Sequence, residues 1–276
     1  MGRDSHACFE HPESAINLGE YTVKLFLDIE TIPAQRPDVL EEITSNRFDK
    51  LRSDIAAVKP PGNYKKEETI VAWWNDEAPK LIDTMKAIHT NECEAEYRKT
   101  GLDGAFGQVC VIGFALDNHA PKTIWSADWA NAGTERELLE DFSCALTDVI
   151  SPSIERAVCV VGHNVANFDL RFLVQRSIVN GVQPHRVIAS AAQAKPWESE
   201  RCFDTMVQWA GVGRTVSLDK LCRALLIHTP KSDITGATVW DAVQAGRIAE
   251  VAEYCKKDVD ATRAVYQRMT FQKVPL

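Results

Sequence analysis

The chain has 276 residues, of which 45% are hydrophobic and 25% are charged, with 14 glycines and 12 prolines. These proportions exclude collagen-like, low-complexity and intrinsically disordered chains. The 31 basic and 39 acidic residues leave a net charge of −8. That charge argues against a protein that coats nucleic acid through a broad basic surface, but it is compatible with an enzyme that binds nucleic acid in a local groove.

The sequence also indicates where the protein works. No hydrophobic run approaches the roughly 20 residues that a transmembrane helix needs, and the first residues are too polar for a signal peptide. The eight cysteines are scattered and form no C-x-x-C pair, which fits reduced thiols better than a secreted disulfide framework. We therefore expect a cytoplasmic protein without a membrane partner.

Four runs of hydrophobic and β-branched residues predict strands. They cover residues 22–31, 108–116, 121–128 and 156–164. If the chain between the first two strands is an insertion, the first three can form a meander. The predicted order of the strands in the sheet therefore depends on whether the chain between the first two strands is an insertion.

Residues 33–105 are that insertion. They are rich in charged and turn residues, and 37–57 and 76–99 are expected to be helical. Two interpretations stay open: a surface insertion, or a lid or clamp over the active face. We expect an N-terminal extension over 1–21 and one domain over 22–276 that contains the insertion.

Hydrophobic residues at helical spacing predict further helices around the later strands. These helices cover residues 134–150, 166–181, 217–226 and 247–270. Thr134 is expected to cap the first of them, and Gly181 to end the second. Strands followed by alternating strands and helices predict an α/β fold with a sheet covered by helices.

Two carboxylates stand at the end of the first predicted strand, in the sequence LFLDIET. Because side chains alternate along a strand, Asp28 and Glu30 project from one face and Ile29 from the other. Two neighbouring carboxylates need a cation, a proton or exposure to solvent. The simpler interpretation is a pair of solvated charges at a strand end.

Two further acidic positions accompany helices. Asp169 follows a predicted strand and turn in VVGHNVANFD and falls in the first turn of the next helix, where an acid also serves to favour the helix N-terminus. Tyr254 and Asp258 are four residues apart and therefore share one face of the last helix. Each position has an ordinary structural explanation by itself, so the argument depends on the combination.

Together these motifs resemble those of the DEDD superfamily of 3′–5′ exonucleases, which have an RNase H-like (DnaQ-like) fold. Asp28-Ile29-Glu30 resembles the first motif, Asn164-x-x-Asn167-Phe168-Asp169 the second and Tyr254-x-x-x-Asp258 the third. The tyrosine is typical of the DEDDy branch.

A longer stretch, 157–270, is similar to predicted exonucleases related to the proofreading domain of family-B DNA polymerases. Segments 203–206, 216–227 and 236–247 carry this similarity. It implies an α/β, RNase H-like mixed central sheet flanked by helices, with a largely helical insertion after the first strand.

The resemblance also implies a two-metal-ion mechanism with two divalent cations, Mg²⁺ or Mn²⁺, which prefer carboxylate oxygens. By this resemblance Asp28 bridges both ions, Glu30 and Asp258 hold the ion on the nucleophile side, and Asp169 supports the second ion through water. Tyr254 would orient the attacking water. These five residues are the predicted catalytic residues, and the four acids are the predicted metal ligands.

Substrate contacts follow from the same resemblance. Ile29 and Thr31 are expected near the terminal nucleotide, and Asn164 beside the scissile phosphate. Phe168 would stack against a base. For Ile29 and Phe168 the alternative is an ordinary place in the core.

Basic residues between 195 and 231 are candidates for steering a strand, although scattered cations usually form solvated surfaces. They are Lys195, Arg201, Arg214, Lys220, Arg223 and Lys231. Asp204 is expected to cap a helix instead of serving as a fifth ligand.

The expected function is a metal-dependent 3′–5′ exonuclease acting on single-stranded nucleic acid, DNA in preference to RNA. A replication or repair polymerase is a candidate partner. One alternative is a 3′–5′ exoribonuclease or oligonucleotide-degrading enzyme. Another is a catalytically inactive nucleic-acid-binding or polymerase-associated module.

Overall fold

The computed structural model describes residues 22–229 and 233–272. The predicted N-terminal extension, 1–21, and the candidate steering residue Lys231 lie outside the described residues. None of the described helices combines the length and hydrophobicity that crossing a membrane requires.

A five-stranded mixed sheet forms the centre of the molecule, with the strand order β3-β2-β1-β4-β5. The strands are β1 (Val23–Ile32), β2 (Gln108–Leu116), β3 (Lys122–Trp125), β4 (Val158–Gly162) and β5 (Cys202–Asp204). Strands β1, β2 and β3 form an antiparallel meander, and β1, β4 and β5 run parallel to one another. The four predicted strands and the predicted meander are confirmed, and β5 is an additional strand.

The described part of the chain contains ten α-helices. They are α1 (Pro37–Ala56), α2 (Glu67–Asp76), α3 (Ala78–Lys99), α4 (Thr134–Val149), α5 (Asp169–Asn180), α6 (Arg186–Ala191), α7 (Thr205–Ala210), α8 (Leu218–Ala224), α9 (Val239–Gln244) and α10 (Ile248–Met269). Single 3₁₀ turns occupy Thr100–Leu102 and Glu155–Ala157. The sequence predicted six of these helices, and α2, α6, α7 and α9 are additional. The predicted α/β, RNase H-like fold class is confirmed.

The alternation of β1 separates the two layers of helices. Leu25 and Leu27 pack with residues of α4 and α5 on one face of the sheet. Phe26, from the opposite face, packs with Val259 of α10. Because successive side chains of a strand point to opposite faces, the residues that follow Phe26 in the same phase, Asp28 and Glu30, face α10.

Two predicted helix ends can be compared with the structure. Gly181 ends α5 with φ +65°, as predicted. The prediction that Thr134 caps α4 is wrong, because the cap residue is Gly133 and no side chain caps the helix. Thr134 is instead the first helical residue, and its hydroxyl donates to the carbonyl of Asp128 at 3.0 Å.

The insertion between β1 and β2 is helical, as expected. Helices α1 and α3 are joined by Arg47, whose guanidinium donates to Glu92 and Glu96, each at 2.6 Å. The 3₁₀ turn that follows α3 reaches the chain just after β1, where the Thr100 hydroxyl accepts a hydrogen bond from the Ala34 amide at 2.8 Å. The insertion therefore ends beside the strand that carries Asp28 and Glu30. A lid function for it stays a prediction.

Candidate active site

The first part of the site lies at the end of β1. The side chain of Glu30 is buried, with 7% of its surface exposed, and Asp28 is partly exposed. The pairing with β2 shifts register between Glu30 and Thr31, so the regular strand is interrupted directly after the second acid. Both carboxylates face α10 at this point.

Asp169 approaches β1 from the opposite layer. It is the first residue of α5 and is buried. Its Oδ1 accepts a hydrogen bond of 3.0 Å from the backbone amide of Ile29, the residue between the two acids of β1. This bond fixes the start of α5 against the strand and engages one of the two oxygens of Asp169.

Helix α10 contributes three side chains. Tyr254 and Asp258 lie one turn apart, and the hydroxyl of Tyr254 interacts with the carboxylate of Asp258. Cys255 is buried, and its Sγ donates to Oδ2 of Asp28 at 3.3 Å. One carboxylate oxygen each from Asp28 and Glu30, together with Sγ of Cys255, all lie within 4.8 Å of one another.

Sequence reasoning missed Cys255 as a member of this cluster. Its hydrophobic neighbourhood is typical of a small core residue, and the thiol is indeed buried beneath the sheet. The available signal was its position three residues before Asp258, because residues at this spacing share one face of a helix.

The electrostatics of the site reflect how close the acids are. Burial raises the pKa of Asp28, and the neighbouring charges of Glu30, Asp169 and Asp258 raise it further. Burial also raises the pKa of Glu30, followed by the charges of Asp258 and Asp169. The four carboxylates from three distant parts of the chain therefore repel one another within one site.

The other two acids are also perturbed. Burial raises the pKa of Asp169 to about 7, although hydrogen bonds from the amides of Asp169 and Ile29 lower it. Burial raises the pKa of Asp258, and the hydrogen bond from Tyr254 lowers it. Burial and then the charge of Asp258 raise the pKa of Tyr254, so this hydroxyl stays neutral at physiological pH.

No basic group balances this negative charge within the described residues. None of the Lys, Arg or His side chains there lies within 4.0 Å of any of the four carboxylates. Carboxylate oxygens are the ligands that Mg²⁺ and Mn²⁺ prefer. The donor set and its uncompensated charge therefore fit one or more divalent cations.

The candidate substrate-contact residues differ in accessibility. The Ile29 side chain lies in the core with 5% of its surface exposed, in agreement with the core alternative. Phe168 is partly buried against the same core, and its ring centroid is 5.5 Å from that of Phe172. Contact of either side chain with a nucleotide stays a prediction.

Thr31 and Asn164 lie in more open surroundings. Thr31 lines a cavity of about 320 Å³ together with Leu102 and Trp240, and its hydroxyl donates to the carbonyl of Gly101 at 2.6 Å. Asn164 has a left-handed backbone conformation with φ +63°. Thr31 thus connects the end of β1 with the end of the insertion.

Asp204 has the helix-capping role that the sequence predicts. It is buried, and its carboxylate accepts hydrogen bonds from the amides of Met206 and Val207 at the start of α7. It also accepts from the amides of Asn164 and Ala166, both at 3.0 Å. Asp204 therefore holds the turn that leads to Asp169.

The basic residues between 195 and 231 differ in their partners. The guanidinium of Arg201 donates to Glu198 at 3.1 Å, and Arg223 lies 3.2 Å from Asp219. Three others have no acidic partner within 4.0 Å among the described residues: Lys195, Arg214 and Lys220. A steering groove built from this whole group stays a prediction.

The comparison with known protein families agrees with this geometry. The model of a family described as predicted 3′–5′ exonucleases related to the exonuclease domain of PolB matches residues 102–276. The matched segment is more than half of the chain and includes Asp169, Tyr254 and Asp258. The chain belongs to this family.

Proposed function

We propose that this member of the predicted 3′–5′ exonuclease family removes nucleotides from the 3′ end of single-stranded DNA by metal-dependent hydrolysis. The observation that carries the proposal is the pair of carboxylates on β1, Asp28 and Glu30, which lie within 4.8 Å of each other beside Cys255 of α10, with Asp169 of α5 held against the strand between them. Hydrolysis of a phosphodiester requires a cation at such a site, because charge develops on both the attacking and the leaving oxygen.

The acids would divide the cations between them. Asp28, Glu30 and Asp258 would hold one ion, and Asp28 would share in the second. Asp169 would support that second ion through water, because one of its oxygens already accepts the amide of Ile29. When bound, two Mg²⁺ or Mn²⁺ ions would stabilise the charge on the attacking and leaving oxygens.

Tyr254 would orient the attacking water. Its hydroxyl is neutral, since burial and the charge of Asp258 raise its pKa, and a neutral hydroxyl both donates and accepts a hydrogen bond. The contact with Asp258 restrains it beside the acids. It is therefore suited to positioning water, whereas it is too weak an acid to supply a proton.

The 3′-terminal nucleotide would lie in the cavity beside Thr31. This cavity has a volume of about 320 Å³ and opens where β1 ends, directly after Glu30. The described relationship to a polymerase-associated exonuclease domain favours DNA over RNA as the substrate and a polymerase as the partner. Asn164, on the turn before Asp169, would contact the scissile phosphate.

The experiment is to follow mononucleotide release from a 5′-labelled single strand with Mg²⁺ or Mn²⁺, and with EDTA. We expect release only with the cation, and faster release from the deoxy strand than from the ribo strand of the same sequence. Asp28→Asn should lower kcat/KM by at least about 1000-fold, equivalent to about 4 kcal/mol of transition-state stabilisation. Asp260→Asn, a change at an exposed acid of α10, is the matched control.

The other outcomes identify the alternatives. Faster hydrolysis of the ribo strand would indicate an exoribonuclease or oligonucleotide-degrading enzyme. Binding of the strand without release of mononucleotides, in the presence of Mg²⁺ or Mn²⁺, would indicate an inactive nucleic-acid-binding module. Full activity of Asp28→Asn would contradict the proposed site.

A further inference from the structure

A second cavity, of about 420 Å³, lies beyond β5, between the start of α5, the chain after α6, and α7. We call it the β5 cleft. The lining residues that matter for the argument are Asn167, Arg171, Lys195, Asp204, Gln208 and Val212. None of them belongs to the group of acids.

The β5 cleft lies at the same edge of the sheet as the acids. Strands β1, β4 and β5 are parallel, and Gly162 at the end of β4 is paired with Asp204 at the end of β5. Neighbouring strands are about 4.8 Å apart, so β5 lies about 10 Å along this edge from β1. A strand bound across the edge would pass from one site to the other.

One turn of chain joins the two sites. Asp169 contacts β1, while Asn167 and Arg171, two residues before and after it, line the β5 cleft. On a helix, residues two apart point to nearly opposite sides. The start of α5 therefore presents an acid towards β1 and a cation towards the cleft.

The β5 cleft carries positive charge that the protein does not neutralise. Arg171 and Lys195 are exposed, and within the described ranges neither has an acidic partner within 4.0 Å. The buried carboxylate in the wall, Asp204, accepts four backbone amides and its charge is satisfied there. In a chain of net charge −8, two free cations in one cleft favour an anionic ligand.

The remaining surroundings suit a nucleic-acid strand. The amide side chains of Asn167 and Gln208 line the β5 cleft and can donate to phosphate oxygens. Trp197 and Trp209, each next in the chain to a lining residue, expose 77% and 49% of their surface. Exposed aromatic rings beside cations are the usual means of binding single strands without sequence preference.

We propose that the β5 cleft binds the phosphodiester backbone of the single strand upstream of the scissile bond, through Arg171 and Lys195. The proposal rests on the proposed exonuclease function and adds to it a second contact with the substrate. The cleft would increase affinity for a strand, whereas a substrate of one nucleotide would occupy the catalytic end alone.

The test compares Arg171→Ala/Lys195→Ala with native protein on two substrates. One is the p-nitrophenyl ester of thymidine 5′-monophosphate, and the other is a fluorescent single strand of about 12 nucleotides. We expect KM for the strand to rise by about tenfold, and the slope of log affinity against log salt to fall by about 1.4, the value for two lost contacts with a single strand. The values of kcat and KM for the ester should stay unchanged.

Lys122→Ala/Arg268→Ala is the matched control, because it removes two exposed cations from β3 and from the end of α10. It should leave the KM for the strand at the native value. The single variants Arg171→Ala and Lys195→Ala, each with an unchanged melting temperature, should give intermediate values. They keep the test valid if the double variant does not fold.

A direct binding measurement separates this proposal from the proposed function. Anisotropy of the fluorescent strand is measured in EDTA, which prevents hydrolysis. If native protein hydrolyses neither substrate but the cleft variant still loses strand binding, the proposed exonuclease function is wrong. The proposal that the β5 cleft binds a strand is then still supported. Equal strand binding by native protein and variant, or no binding by either, would overturn the proposal for the cleft.

Discussion

Tyr254 differs from its four acidic neighbours because it contributes a hydroxyl and no charge. Its side chain is partly buried, one helical turn from Asp258 on α10. Removing the hydroxyl should therefore leave the cation-binding carboxylates in place and alter only the position of water. This separation between a charged ligand set and a neutral positioning group can be tested by single substitutions.

We expect Tyr254→Phe to lower kcat by about 100-fold, the effect typical of losing one positioned proton-handling group. The increase in melting temperature on adding Mn²⁺ should stay close to the native value, because the four acids are retained. Tyr266→Phe is the control, since Tyr266 is a buried tyrosine of the same helix about 18 Å further along its axis. Loss of the Mn²⁺ effect in Tyr254→Phe would show that the hydroxyl supports the acids themselves.

At the level of elements, the position of α10 depends on one glycine of β2. A Cβ atom at Gly113 would lie 2.6 Å from Sγ of Cys255 and 3.2 Å from Cγ2 of Val259. No side chain therefore fits between β2 and α10 at this position. The same helix carries Tyr254 and Asp258, so a shift of α10 would move both relative to β1.

Gly113→Ala should lower the free energy of unfolding by about 1–3 kcal/mol, the usual cost of overfilling a packed interior, and it should lower kcat as well. Adding Cys255→Ala should restore part of the stability, because the closest contact is then removed. Gly62→Ala is the control, since its Cβ would meet nothing within 4 Å. Denaturant unfolding measures all four proteins, and native stability of Gly113→Ala would contradict the close contact.

A buried ion pair fixes α4 to α5. The guanidinium of Arg176 donates to Oε1 and Oε2 of Glu135 at 2.8 and 2.6 Å, and both side chains are buried. Glu135 also accepts from the amide of Val109, and Arg176 donates to the carbonyls of Gly104 and Ala105. The pair thus ties both helices to the start of β2.

Glu135→Ala should cost about 3–5 kcal/mol of unfolding free energy, because it leaves the Arg176 charge buried and unpaired. The exposed pair of Arg136 with Glu140 lies on the same helix, and Glu140→Ala should cost less than about 1 kcal/mol. Urea unfolding of both variants measures the difference. Similar losses in both would show that the buried pair is not stabilising α4 against α5.

At the scale of the whole molecule, the repelling acids couple stability to pH and to cations. Burial and mutual charge raise the pKa of Asp28 and Glu30, and burial raises that of Asp169 to about 7, above its ordinary value of 3.8. The folded protein therefore holds protons that the unfolded chain releases. The stabilisation is present at low pH and is lost as the pH rises from about 4 to about 7.

In EDTA, the melting temperature should therefore fall by several degrees between about pH 5 and about pH 8. Mn²⁺ should raise it strongly at the higher pH and weakly at the lower pH, because ligands must lose their protons to bind a cation. In Asp28→Asn both effects should shrink. Differential scanning fluorimetry measures them, and an equal response of Asp28→Asn and native protein would contradict a shared origin in the acids.

The sequence predicted the elements whose signal is continuous. The hydrophobic runs of β1, β2, β3 and β4 and the long periodic helices were found close to their observed bounds. The elements that were missed include β5, of three residues, and α6, α7 and α9, of six residues each. Runs this short contain less than two full helical periods or strand alternations, so a pattern cannot identify them.

The residues of the candidate site were also predictable only in part. Asp28 shares a strand face with Glu30, and Tyr254 shares a helix face with Asp258, so local geometry was sufficient for each pair. The resemblance to an exonuclease family indicated that the pairs meet. The position of Cys255 beside Asp28 and the accessibility of Thr31 and Ile29 could not be derived from the sequence, because they depend on which layers of helices pack against β1.

The sequence by itself determined the α/β fold through its periodic patterns, and its resemblance to an exonuclease family indicated the RNase H-like fold class and the family; the four acids and Tyr254 stay predicted catalytic residues. Only the tertiary structure decided that Asp169 accepts the Ile29 amide, that Cys255 donates to Asp28, and that the β5 cleft carries cations without an acidic partner among the described residues. The physical reason is that each of these contacts joins residues far apart in the chain. Their distances are set by how strands and helices pack and not by any pattern along the sequence.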